Sequence, residues 1–131
     1  MTRQEIIGII NEVVPSIRTD IFRDDGSQSK IGSNQFRDLA NLCKHSDCYD
    51  EIEMLIRYNE AKVKAKRSSW ASPMKNSSTT FADIIIGCMK KIREVSEDDE
   101  QCLNDLSMFF GYFYWNARIW SAENKNAQRR N

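Results

Sequence analysis

The stretch from Cys102 to Trp120, CLNDLSMFFGYFYWNARIW, constrains the fold more than any other. Seven of the chain's thirteen aromatic residues fall inside it: Phe109, Phe110, Tyr112, Phe113, Tyr114, Trp115 and Trp120. Leu103, Leu106, Phe109 or Phe110, Phe113, Ala117 and Trp120 recur at steps of three and four, which is the spacing of one helix face. Tyr112, Trp115 and Ile119 continue the apolar character on a second face. A helix apolar nearly all round cannot lie on a surface with one side wet. It is either the central helix of a small bundle or has one face in its own core and another in a neighbour.

The length of 131 residues allows one domain with a modest core. No apolar run approaches the roughly 20 residues that span a bilayer. The N-terminal MTRQEIIGIINEVV carries charges within its apolar run and no small-residue cleavage site follows. A signal peptide is therefore not expected, and a cytoplasmic location is. Cys43, Cys48, Cys88 and Cys102 are then read as reduced, largely buried thiols. Lys and Arg total 19 and so do Asp and Glu, but the charges are segregated. Asp47, Asp50, Glu51 and Glu53 form one acidic group, and Glu97 to Glu100 a second. Lys62, Lys64, Lys66, Arg67 and Lys75 form a basic block, so a neutral total is compatible with a basic face.

Five helices are expected, and no strand. The first begins at Thr2, where Thr2-x-x-Glu5 has the capping-box spacing; Pro15 is expected to end or kink it near Val13, with a further turn or two running to Phe22. The second begins at Ser33 with Phe36, Leu39, Ala40 and Cys43 on one face, and has Lys44 and His45 in its last turn. The third runs from a cap at Ser46 or Asp47 to about Arg67. A polar loop, SSWASPMKNSST, follows and leaves Trp70 exposed or half-exposed. Thr80-x-x-Asp83 repeats the capping-box spacing for the fourth helix, in which Gly87 suggests close packing of a neighbour. The aromatic helix is the fifth. The reading is an all-α class: a compact bundle over residues 1–122 and a frayed, disordered polar tail over 123–131.

The residues offer little for catalysis. A single histidine, His45, leaves no two-histidine acid–base pair. The run Cys43-Lys-His-Ser-Asp-Cys48 holds three potential zinc ligands but lacks paired CxxC knuckles, so no metal site and no cofactor are expected. An Arg-(x)4–6-His pattern of the kind helical ribonucleases use is missed by Arg37 and His45, which have seven residues between them. No GxxxxGK[ST] phosphate loop occurs. No catalytic residues are assigned. The basic block is more informative. Arg57, Lys62, Lys64, Lys66 and Arg67 lie on one helix and its end, and Arg37 could extend them from the helix before. Such an edge follows a phosphate backbone in a sequence-independent, salt-sensitive way. The same lysines also suit a solvated helix C-terminus.

In order and length of features the chain resembles the small α-helical subunit of type III-A (Csm) CRISPR–Cas effector complexes. Ile31-Gly-Ser-Asn-Gln-Phe-Arg37 looks like that family's polar helix start. Leu55-Ile-Arg-Tyr-Asn-Glu-Ala-Lys62 is similar to its basic–aromatic–basic helix. Asp105-Leu-Ser-Met-Phe-Phe-Gly-Tyr-Phe is like its aromatic closing helix. The chain departs from the pattern around Trp70 to Thr79 and in its longer, Trp-containing tail. The resemblance implies a non-catalytic subunit of prokaryotic antiviral defence. It stacks copy on copy as an inner filament, contacts other effector subunits, and lies along the guide–target RNA duplex. Carried over position by position, Arg37, Arg57 and Lys62 become the best RNA contacts. Lys64, Lys66 and Arg67 follow from charge alone. Tyr112, Trp115, Arg118 and Ile119 form the expected partner interface. A helical adaptor that uses the aromatic helix to bind a protein is the alternative.

Overall fold

The computed structural model describes residues 1–21, 33–62, 70 and 78–129; at 16–21, 33, 121 and 123–129 only the backbone is described. Five helices follow one another: α1 (Arg3–Ile21), α2 (Ser33–His45), α3 (Tyr49–Lys62), α4 (Phe81–Glu94) and α5 (Asp99–Arg129). They form a compact all-α bundle. α5 is its axis, touching each of the other four helices and α2 most extensively. The expected run of α3 on to Arg67 lies outside the described residues. No helix among the described residues is long and apolar enough to cross a membrane.

The two capping boxes form as their spacing requires. The Thr2 N–H donates to Glu5 Oε1 at 3.0 Å and the Glu5 N–H to Thr2 Oγ1 at 3.1 Å. At the head of α4, the Thr80 N–H donates to Asp83 Oδ2 at 3.0 Å and the Asp83 N–H to Thr80 Oγ1 at 3.2 Å. Pro15 does not end α1, which continues to Ile21. Pro15 and Asn11, four residues earlier, both lie on the exposed side, where water can take the carbonyl that proline leaves unbonded. α5 likewise passes Ala122 and runs through the polar stretch to Arg129.

The core is an aromatic stack laid along α5. Phe113 lies 4.6 Å from Phe36 of α2, 5.8 Å from Phe109 and 5.8 Å from Trp120, measured between ring centroids. Trp70 joins this stack, contrary to its expected exposure: it is 2% exposed. Its ring lies 5.2 Å from Phe81 and 5.8 Å from Phe36, and its Nε1–H donates to Gln35 Oε1 at 2.8 Å. Its carbonyl accepts the Ala82 N–H at 2.9 Å, one of the first-turn donors of α4 that has no partner within the helix. A polar neighbourhood in sequence concealed a residue whose ring bridges Phe36 of α2 and Phe81 of α4. Gly87 is exposed, and a Cβ there would meet nothing within 4 Å, so it does not mediate close helix packing.

Two polar contacts are buried beside the stack. Ser107 Oγ donates to the Ala40 carbonyl at 2.9 Å, tying α5 to α2. Asp105 Oδ2 meets the Met1 amino group at 3.3 Å. The cysteines are free thiols, with Cys43, Cys88 and Cys102 buried and Cys48 half-buried. Burial pushes the Cys43 thiol up to about 12 and that of Cys88 to about 11, so both stay protonated at neutral pH.

Candidate nucleic-acid interface

α2 contributes lining residues to two grooves. Ala40, Asn41 and Arg37 face α5, while Leu39, Leu42, Gln35 and Asp38 face α3. The α2–α5 groove encloses about 380 Å³. Arg3, in the first turn of α1, closes one side, and the outer edge of α5 supplies Met108, Gly111, Tyr112, Tyr114 and Trp115. The α2–α3 groove, about 470 Å³, is lined by Lys62 and Asn59 with Leu55 and Trp70 at its base.

The six expected RNA contacts therefore do not form one strip. Arg37 belongs to the α2–α5 groove, Lys62 to the α2–α3 groove, and Arg57 to the α3–α4 seam. Lys64, Lys66 and Arg67 lie outside the described residues. The three described cations also differ in what already holds them. Arg57 Nη1 donates to Glu60 Oε1 at 2.9 Å and to Asp83 Oδ1 at 2.8 Å. Glu60 Oε2 in turn accepts Thr80 Oγ1 at 2.6 Å, so one guanidinium braces the cap of α4. The hydrogen bond from the Thr80 N–H, then that from Arg57, hold the Asp83 carboxyl below its usual range; the Asp83 contact raises Arg57 further. Lys62 Nζ rests 5.4 Å from the centre of the Tyr58 ring, an i,i+4 cation–π contact on an exposed face. Among the described residues Arg37 pairs with Asp38 alone, at 3.8 Å, with both side chains more than half exposed, a contact worth little. Among the described residues, Arg57 is the one of the three taken up by carboxylates, while Arg37 and Lys62 are open to a phosphate.

The four residues expected at a partner interface do sit together on the outer side of α5. Trp115 is 63% and Ile119 52% exposed, Arg118 is exposed, and Tyr112 is half-buried. Tyr112 and Trp115 pack edge to face with centroids 5.7 Å apart, which restrains the indole from one side. What sequence reasoning kept apart was the cation and the platform. Arg37 was grouped with the basic block and Trp115 with the apolar face, yet both line one groove. Arg3, Asn41, Met108, Gly111 and Tyr114 were missed altogether. Their local patterns carry no sign of convergence, because it arises from the crossing of α1, α2 and α5.

Among the described residues, the groove combines two guanidinium groups and three aromatic rings with no carboxylate in its lining. That composition suits an anion attached to a planar, stackable group. Among the described residues no three His, Cys, Asp or Glu side chains gather as a metal site would need. Comparisons with protein-family models, with curated proteins and with solved structures found no match to this chain.

Proposed function

We propose that this chain is a non-catalytic RNA-binding subunit, acting as the small helical subunit of a type III CRISPR effector acts: stacked copy on copy, beside the guide–target duplex and other effector subunits. The observation that carries the RNA reading is the placement of Arg3 and Arg37 against the exposed aromatic edge of α5. Arginine there neutralises phosphate, and the rings supply contact area that does not depend on sequence. The assignment to a CRISPR effector rests on the resemblance in order and length of features, in which Arg37 is already an RNA contact.

The test is a gel shift with single-stranded and duplex RNA over a range of salt. The wild-type chain should bind with an affinity that falls as salt rises. Arg3→Ala combined with Arg37→Ala should flatten the logarithmic salt dependence on a single strand by about 0.7 for each phosphate that is no longer neutralised. Affinity that ignores both salt and the double substitution would sink the reading. The outer stripe also favours a second reading, a protein-docking helix, because Ile119 carries exposed apolar surface beyond the groove. That reading expects binding of a protein partner to depend on Ile119 and Trp115 and not on the arginines, with no salt-sensitive RNA affinity.

A further inference from the structure

We infer that the α2–α5 groove takes an unpaired nucleobase of single-stranded RNA, stacked on Trp115, with its flanking phosphate on Arg37 and Arg3. The inference rests on the RNA-binding reading above and narrows it, at this groove, to an unpaired nucleotide next to the guide–target duplex and not to the duplex itself.

Three observations favour an unpaired base. The first is the platform. Trp115 is the most exposed aromatic side chain of α5, and Tyr112 packed edge to face against it limits its rotation without covering it. Stacking on a ring needs a base whose face is uncovered, a condition that strand interiors in a duplex do not meet. The second is the floor. Gly111 sits one helical turn before Trp115 in the same lining, and a Cβ at Gly111 would meet nothing within 4 Å. The absent side chain leaves the floor open, so a flat ring can approach the α5 backbone beside the indole. The third is the charge. Both cations of the lining, Arg3 and Arg37, belong to this one groove; Asp38, the carboxylate nearest Arg37, lines the other. Duplex RNA is held by contacts spread over successive minor grooves. Here Arg57, a candidate for such an extended track, is committed to Asp83 and Glu60. A space of about 380 Å³ holds a base with its phosphate and does not admit a double helix.

The experiment uses the full chain with a fluorescently labelled single-stranded RNA of about 10 nucleotides and the same sequence as a duplex. Binding is followed by anisotropy of the label and by quenching of tryptophan emission. Trp70 and Trp120 are buried, so quenching by a stacked base reports on Trp115. The single strand should bind more tightly than the duplex and quench the emission. Trp115→Ala should weaken single-strand binding about 10-fold, with Trp115→Phe restoring most of it. Gly111→Leu should weaken it comparably while the Tm holds or rises, since leucine favours a helix more than glycine does. This second variant separates a blocked groove from an unfolded protein. Duplex bound as tightly as single strand, with Trp115→Ala and Gly111→Leu both neutral, would overturn the inference and leave RNA binding intact. No RNA binding even at low salt overturns both. An acidic peptide that binds the wild type and loses affinity in Trp115→Ala, while RNA affinity does not change, overturns the inference in favour of a protein ligand.

Discussion

The two sides of α5 are built from the same residue types and do opposite work. On the inner side, Phe109, Phe113 and Trp120 are buried against α2 and one another. On the outer side, Tyr112 and Trp115 keep their edge-to-face geometry but remain open to solvent. The inner rings remove apolar area from water permanently, at roughly 25 cal/mol per Å². The outer rings leave that gain to be realised when something covers them. An aromatic residue on a helix therefore says nothing about stability until its side is known. A cation behaves in the same way: Arg57 and Arg37 are both arginines on helix surfaces, but one is taken up by a cap and the other faces a groove.

A matched pair of truncations tests this contrast most severely. Phe113→Ala should lose about 3–5 kcal/mol of folding stability, as core Phe truncations do. Trp115→Ala should stay within about 0.5 kcal/mol of wild type in the same denaturation experiment. Equal losses would mean that Trp115 is a core residue after all. A smaller effect separates the arginines. Arg57→Ala should cost about 0.5–1 kcal/mol by freeing Glu60 and Asp83, and should leave RNA affinity near that of wild type. Arg37→Ala should do the reverse. The smallest effect is a pH dependence at the α4 cap. The Asp83 carboxyl is depressed in the folded chain, so its stabilising effect is complete above the unfolded value of about 3.9 and fades as pH falls through the folded value. Thermal melts of wild type and Asp83→Asn should therefore converge as pH drops below about 4. A gap that stays constant into acid would remove Asp83 from that role.

What could be read from the chain was whatever depends on neighbours three or four residues away. The five helices, both capping boxes and the inner face of α5 are all of this kind, and all appear in the structure. What could not be read depends on distant partners. Trp70 is buried by Phe36 and Phe81, far from it in sequence, and its polar flanks pointed the other way. Arg57 is taken up by Asp83, twenty-six residues on. Asp105 faces the Met1 amine across almost the whole chain. Pro15 shows a different limit: local chemistry was read correctly, but a proline on the solvent side of a helix loses a hydrogen bond that water replaces, so α1 continues. The candidate site suffered most, because a groove at a helix crossing has no periodicity of its own.

Trp70 also governs how this chain can vary. The connection between Lys62 and Phe81 is fastened near its middle by one ring and two hydrogen bonds. Loop-closure entropy changes by only about 0.6 kcal/mol for each doubling of length, so the fastening matters through position and not through entropy. It makes two separate spans of one. Replacing Trp70 should therefore disturb the head of α4 and the aromatic stack more than inserting a residue on either side of it.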